Sequence, residues 1–346
     1  MRQTAEAALD PQPLLRLLRG FWAAKTLAVA VHLDLFTHVA REAGATLETL
    51  GAALGLQRRP ADALLTACTG LGLLERHENR YHNSELTQRF LVRGSEDYFG
   101  SVVEAVDQRN FPAWMNVLDA LRDNRPVSWD LGSGGTLFDG EDPQLVDGVR
   151  SGLRPLVTAA ARELARVVDL SGARRLLDIS GHGEAYGLEL CRRYRQLTVT
   201  VYDQPLLSSL ARAERENSPF GDRLSAVTGD FLAEPALPAG HDVILLASVL
   251  CDLGETDCRL TLAKCYAAMP PRGRLVVADL FVADDRSGPP EAALSGMNTL
   301  VETMGRTCTA GECGTWLAEA GFTGVTTADF RAPTANKVLT AEKPGA

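Results

Sequence analysis

The chain has 346 residues, 45% of them hydrophobic and 23% charged, with a formal net charge of -9. Such a length supports two domains and a sizeable core, and the acidic balance argues against a nucleic-acid binder, which needs a cationic face to displace counterions. No apolar run approaches the ~20 residues needed to span a bilayer, and the opening MRQTAEAALDPQPLLRLLRG carries no signal-peptide core, so the cytoplasm is the expected location.

The first elements are helical. Residues 13 to 40 are rich in Leu and Ala at helical period and read as a pair of apolar helices that must bury against a core or a partner subunit. In TLETLGAALGL, Thr46 is placed to cap a helix with Glu48 in its first turn. RRPADALLTACTGLGLLER predicts a further helix ending near Gly70 or Gly72. LLERHENRYHNSE then predicts two short strands around His77-Glu78-Asn79. Three helices and a hairpin are the order of a winged-helix unit. Its recognition segment, 58 to 71, offers only Arg58 and Arg59 before turning apolar, which favours a structural or dimerising role over DNA binding.

Residues 100 to 165 read as helical stretches broken by Pro112, Pro126 and DLGSGGTLFDG. The run Gly132 to Gly135 has no preceding strand and no following Lys-Ser or Lys-Thr, so it reads as a connection rather than a phosphate loop. From about 170, strands and helices alternate: RRLLDIS, LTVTVYD, RLSAVTGD, HDVILLASVL and GRLVVADLFV are the strands. Their near-continuous Val, Ile and Leu predict a mainly parallel sheet covered on both faces, closed by VTTADF and KVLTAEK as a candidate antiparallel pair.

Such sheets bind ligands where the strands end. The first strand ends at Asp178 and a small-residue loop, and the second at Asp203, an acid that can accept from ribose hydroxyls or simply cap the turn before Pro205. The third ends at Asp230-Phe231, the fourth at Ser248 followed by Cys251-Asp252, and the fifth at Asp279. The seven cysteines include no CxxC pair, and no clustered ligands suggest a metal site. Cys251, Cys258 and Cys265 recur every seven residues, which reads as a helix face.

The whole arrangement resembles the dimeric S-adenosylmethionine-dependent O-methyltransferases that act on small molecules. The residues that carry the resemblance are LDLF (Leu33 to Phe36), VYDQP, GDF, LLASVLCDLGETDCR, MPPRGRLVVAD, DDRSGP and MNTLVETMGRTCTAGECGTWLAEAGF. The resemblance implies an α/β chain with a Rossmann-like class I methyltransferase sheet and an N-terminal helical winged-helix dimerisation domain. The expected divisions are 1-100 for dimerisation, 101-165 for linker and pocket helices, and 166-346 for the sheet domain. It further implies a homodimer and S-adenosylmethionine as cofactor, held by Asp178, Ser180, Gly181, Asp203, Asp230, Phe231 and Ser248. An aromatic or polyketide-type substrate is implied, with Phe111, Trp114, Met115, Met297 and Asn298 as candidate walls; ordinary helix packing explains the first three equally well.

Two departures from the family pattern stand out. Its loop D-x-G-G-G-x-G is here Asp178-Ile179-Ser180-Gly181-His182-Gly183-Glu184. Its His-Asp pair, in which the His takes the substrate proton, is here Cys251-Asp252, and the acid that orients the His is here Thr307, while Asp279 keeps the other acidic position. Cys251, Asp252 and Asp279 are therefore the candidate catalytic residues. A thiol titrates near 8.5 and is a base only as thiolate. Three readings stay open: methyl transfer lost or replaced by a cyclisation, rearrangement or elimination, which the paired losses narrowly favour; methyl transfer by proximity alone; and a non-catalytic partner protein.

Overall fold

The computed structural model describes residues 10–42, 44–128, 143–182 and 184–345, and the Gly132–Gly135 run lies outside them. The described chain divides into two compact units, one ending at Gln108 and the other beginning at Arg109.

In the first unit, α1 (Gln12–His32) and α2 (Leu35–Arg41) meet at Asp34, whose left-handed backbone (φ 57°) makes the LDLF corner. α3 (Leu47–Ala53) starts at Thr46, whose hydroxyl accepts from Thr49 N at 3.2 Å, the cap expected from the sequence. α4 (Arg58–Gly70) follows, and the strands β1 (Leu74–His77) and β2 (Arg80–Asn83) pair antiparallel across Glu78 and Asn79, both at positive φ as a two-residue hairpin turn requires. Arg58 lies 2.6 Å from Glu48, so a basic residue at the head of α4 is already neutralised. The core is Val31, Leu35, Phe36, Leu50, Leu65, Leu74 and Tyr81 with their neighbours. α5 (Glu85–Phe90) and α6 (Gly100–Ala105) complete the unit. α6 packs on α1, and Lys25 pairs with Asp107, so this unit runs several residues beyond the division read from the sequence.

The second unit opens with α7 (Phe111–Trp114), α8 (Val117–Asp123) and the long α9 (Pro143–Val167). The sheet strands and helices then alternate: β3 (Arg175–Asp178), α10 (Ala185–Arg193), β4 (Thr198–Asp203), α11 (Pro205–Glu216), β5 (Leu224–Thr228), β6 (Val243–Ala247), α12 (Glu255–Ala268) and β7 (Arg274–Asp279). α13 (Pro290–Glu302), α14 (Ala310–Glu319), β8 (Thr323–Ala332) and β9 (Ala335–Glu342) close the chain. The strand order is β5-β4-β3-β6-β7-β9-β8, with the first five parallel and the last two antiparallel. β6 is buried at every residue, and separate apolar cores lie on the two faces of the sheet, as continuous apolar strands require.

The sevenfold cysteine spacing is corrected here. Cys258 and Cys265 are buried on α12, but Cys251 lies before that helix, in the one-turn 3-10 segment Leu250–Asp252. Among the described residues, no helix is long and apolar enough to cross a membrane.

Within its own chain α1 exposes Leu14, Leu17, Leu18, Phe21 and Trp22, Leu17 by 78%. A contiguous apolar face of this kind marks an association surface. Replacing Leu17 and Trp22 together by Asp is expected to convert a dimer into a monomer in light-scattering mass measurements, while the circular dichroism of the sheet unit is unchanged.

Candidate active site

Five parallel strands end on one rim, and the acids predicted from the sequence gather there. Asp178 ends β3 and is fully buried; its Oδ1 accepts from Ser180 N at 3.0 Å and from the Ser180 hydroxyl at 2.5 Å. Asp203 ends β4, also buried, and its Oδ1 accepts from Gln204 N at 2.8 Å. The other oxygen of each carboxylate, Oδ2, is buried and meets no donor among the described residues. Burial raises the Asp178 pKa to about 6 and that of Asp203 to about 7.

The altered loop leads from β3 to α10. Gly181 holds the left-handed conformation (φ 67°) with open space where a Cβ would sit. The Ser180 side chain folds back on Asp178 rather than into the loop. Glu184, at the head of α10, is fully buried and ion-paired with Arg215 of α11 through Oε1, while its Oε2 meets no donor among the described residues and burial, outweighing Arg215, raises its pKa to about 7. His182 is half-buried, with its ring 6.2 Å from that of Tyr186 and the Ala247 carbonyl accepting from it; burial lowers its pKa to about 4, so it is neutral at pH 7.

Three further residues expected to contact the cofactor also have partners within the protein. Ser248 stands at φ 54° and its hydroxyl donates to Thr334 O at 3.2 Å, which ties the end of β6 to the β8–β9 turn. Asp230 caps its own turn by accepting from Leu232 N at 2.8 Å and Ala233 N at 3.3 Å. Phe231 packs against the core of the β6–β7 face.

Beyond β6 the 3-10 turn presents Cys251 and Asp252. Asp279, at the end of β7, accepts from Leu280 N at 2.8 Å with one oxygen and from Cys251 N at 3.2 Å with the other. It is therefore a positioning residue for the turn. The Cys251 Sγ lies 3.8 Å from Asp252 Oδ1. Burial, then Asp279 and Asp252, push the thiol well above its ordinary range, so it is not a thiolate base at neutral pH. Gly305 braces the turn from behind: a Cβ there would stand 2.1 Å from Cys251 O and 2.5 Å from the Asp252 carbonyl carbon. Thr307, at the position of the family's orienting acid, is buried and donates to Ala292 O at 3.0 Å.

α13 packs on this turn and on α7. It carries Asn298 and, one turn on, Glu302, which the sequence reading missed although a spacing of four residues puts the two on one helix face. Asn298 Nδ2 donates to Glu302 Oε2 at 3.1 Å, Asn110 donates to Glu302 Oε1, and Trp114 Nε1 donates to Asn298 Oδ1 at 3.0 Å. Trp114 and Asn298 are thus brought together. Phe111 and Met297 are half-buried nearby in sequence, whereas Met115 is 77% exposed within its own chain, which weakens its part as a pocket wall.

An acid-rimmed parallel sheet with a ribose-type acceptor and a polar helix pocket is what the resemblance implies, and comparison with known proteins decides the family. Residues 114–323 match the O-methyltransferase domain, and residues 15–93 match the O-methyltransferase dimerisation domain. The chain belongs to the O-methyltransferase family. It is 39% identical over 96% of its length, and 95% of the relative's, to the 3-hydroxy-5-methyl-1-naphthoate 3-O-methyltransferase of Streptomyces sahachiroi. It is 30% identical over 93% of its length, and 94% of the relative's, to the tetracenomycin polyketide synthesis 8-O-methyl transferase TcmO of Streptomyces glaucescens. A structure of PigF with SAH superposes with a TM-score of 0.87 at 26% identity, covering 97% of this chain and all of that one. Human N-acetylserotonin methyltransferase in complex with SAM shares the fold, with a TM-score of 0.84 over 99% of this chain and all of that one at 24% identity.

Two outcomes are expected at the turn. Gly305→Ala displaces Cys251 and Asp252, lowering kcat tenfold or more while ligand affinity at the Asp178–Asp203 rim holds; steady-state kinetics beside calorimetry checks this. Alkylation of Cys251 by iodoacetamide, followed by peptide mass, keeps rising with pH through and beyond the ordinary thiol range of about 8.5. A plateau at lower pH would instead reveal a thiolate.

Proposed function

We propose that this chain transfers a methyl group from S-adenosylmethionine to a hydroxyl of an aromatic, polyketide-type metabolite. The observation that carries this reading is the pair of orphaned carboxylate oxygens, Asp178 Oδ2 and Asp203 Oδ2, buried at the ends of two adjacent strands. A buried acceptor without a donor costs about 1–3 kcal/mol, more when charged. A ligand that brings an ammonium and vicinal ribose hydroxyls supplies such donors, so the residues present fit S-adenosylmethionine. Asp203 suits the ribose, and Asp178 with the Ser180–Gly181 loop suits the amino-acid end. When bound, the cofactor supplies an electrophilic methyl group on a sulfonium sulfur.

The expectation that methyl transfer has been lost or replaced rested on the loop and on the missing His. Ser180 and Glu184 are turned onto protein partners and Gly181 keeps its backbone, which supports retained binding. The aromatic acceptor is supported by the two Streptomyces relatives, whose names specify a naphthoate and a tetracenomycin polyketide, and Trp114, hydrogen-bonded to Asn298, offers a ring on which such an acceptor can pack. The chain's own residues hold the acceptor against α13 and keep the turn at Asp252 in place.

Incubation with S-adenosylmethionine and a panel of hydroxynaphthoates and naphthols is expected to give methyl ethers by mass spectrometry; turnover of an acceptor without the cofactor would favour the replaced reaction. Binding of S-adenosylhomocysteine, read by calorimetry, is expected to tighten as pH rises from about 5.5 to 8. The sign follows from the raised carboxyls, at about 6 and about 7: protonated at low pH they accept weakly, and ionised above pH 7 they accept fully. The same two groups favour the ligand-free fold most below the unfolded value of about 3.9, and that contribution is lost as pH rises toward 7. Asp203→Asn is expected to weaken S-adenosylhomocysteine by on the order of ten- to a hundredfold.

A further inference from the structure

We propose that Asp252 accepts the proton of the substrate hydroxyl, doing alone the work that the family assigns to the residue before it; this rests on the methyl-transfer reading above. The argument is one of remaining capacity. Three carboxylates face the Cys251 turn: Asp252, Asp279 and Glu302. Asp279 has one oxygen on Leu280 N and the other on Cys251 N, and it is buried. Glu302 has Asn110 on one oxygen and Asn298 on the other, and Arg109 faces it. The Asp252 carboxylate meets the Cys251 thiol at 3.8 Å, and its side chain stays exposed at the rim of the sheet. Although the residue is exposed, protein lies near enough to the carboxylate for desolvation to be the largest cause of its raised pKa.

The surroundings set the proton affinity in a useful range. Burial, and after it the charges of Asp279 and Glu302, raise the Asp252 pKa to about 7, where a general base combines an ionised fraction at neutral pH with real driving force. The alternatives are poorer. Cys251 is held protonated by burial first, then by Asp279 and Asp252. Burial holds His182 near 4, which makes it a weaker base than Asp252 at neutral pH even though its Nε2 meets no partner among the described residues. His241 precedes β6, at the opposite rim, and its two ring nitrogens lie 3.2 Å from Pro238 O and 3.1 Å from Thr200 Oγ1. In the step proposed, the substrate O–H bond breaks, an O–H bond forms on Asp252 Oδ, and the electron pair stays on the substrate oxygen. The proton then leaves from the exposed side of Asp252 to water, which returns the carboxylate.

The test compares the wild type with Asp252→Asn and Asp252→Glu on the aromatic acceptor from the panel above that the wild type methylates best, and on a nitro-substituted analogue of it that is already ionised at pH 7. Three results are expected together. Asp252→Asn lowers kcat on the ordinary acceptor by about 10²–10⁴-fold, and the acid limb of its pH profile moves from near 7 toward the acceptor's own pKa. The defect shrinks to less than about tenfold on the ionised acceptor. Binding of S-adenosylhomocysteine by calorimetry stays within about twofold, and Asp252→Glu recovers part of the rate. An Asp252→Asn enzyme as fast as wild type on the ordinary acceptor overturns the proposal, and so does an equal loss on both acceptors, which means a structural role. If the wild type binds S-adenosylhomocysteine but methylates no member of the panel, the methyl-transfer reading falls and this proposal falls with it.

Discussion

The second unit is organised around carboxylates withdrawn from water at one rim of a parallel sheet. Five strands run the same way, so their final residues share an edge, and an apolar core on each face leaves that edge as the place where polar chemistry can sit. Four of the acids there fall into three degrees of satisfaction. Asp279 is fully engaged by backbone donors and acts as a brace. Asp178 and Asp203 are half-engaged, which leaves one oxygen on each for the donors of the proposed ligand. Asp252 is open, and can therefore gain and lose a proton. One architectural fact thus yields three different roles for one residue type, through the number of protein donors that reach each carboxylate.

Much of this was legible in the sequence because it depended on local pattern. Unbroken apolar runs such as HDVILLASVL imply strands buried on both faces, and an acid stands at or within a few residues of the end of each run, so the rim could be drawn before any coordinates. The hairpin at Glu78-Asn79, the Thr46 cap and the LDLF corner are likewise set by residues within a few positions of one another. What escaped was the set of interactions between residues far apart along the chain. Glu302 stands 192 residues from Asn110 and lies inside an otherwise ordinary amphipathic helix. The sevenfold cysteine spacing suggested a helix face, but Gly254 begins a new helix between the first cysteine and the second. Ser248, Asp230 and Phe231 sit where the family pattern puts cofactor contacts, yet each has found a partner within the protein, which no motif could reveal.

The two departures from the family pattern also differ in physical kind. The loop changes are absorbed: a hydroxyl folds onto a neighbouring carboxylate and an acid finds an arginine. The change at the turn is a true exchange of chemistry, since an imidazole gives way to a thiol that burial and its neighbours keep protonated. Thr307 fits that exchange. With no imidazole to orient, the position has become part of the packing between α13 and the chain beyond it, close against Gly296.

The buried Glu184–Arg215 pair couples two positions. Where the family carries a glycine, this chain has a carboxyl group paired with an arginine on a different helix. Glycine at position 184 by itself would strand Arg215, itself largely enclosed, without its partner, and breaking one half of such a pair costs far more than removing both. A glycine at position 184 is therefore tolerated best when Arg215 is changed with it. A loop that looks degenerate when read position by position is held in place by its neighbour.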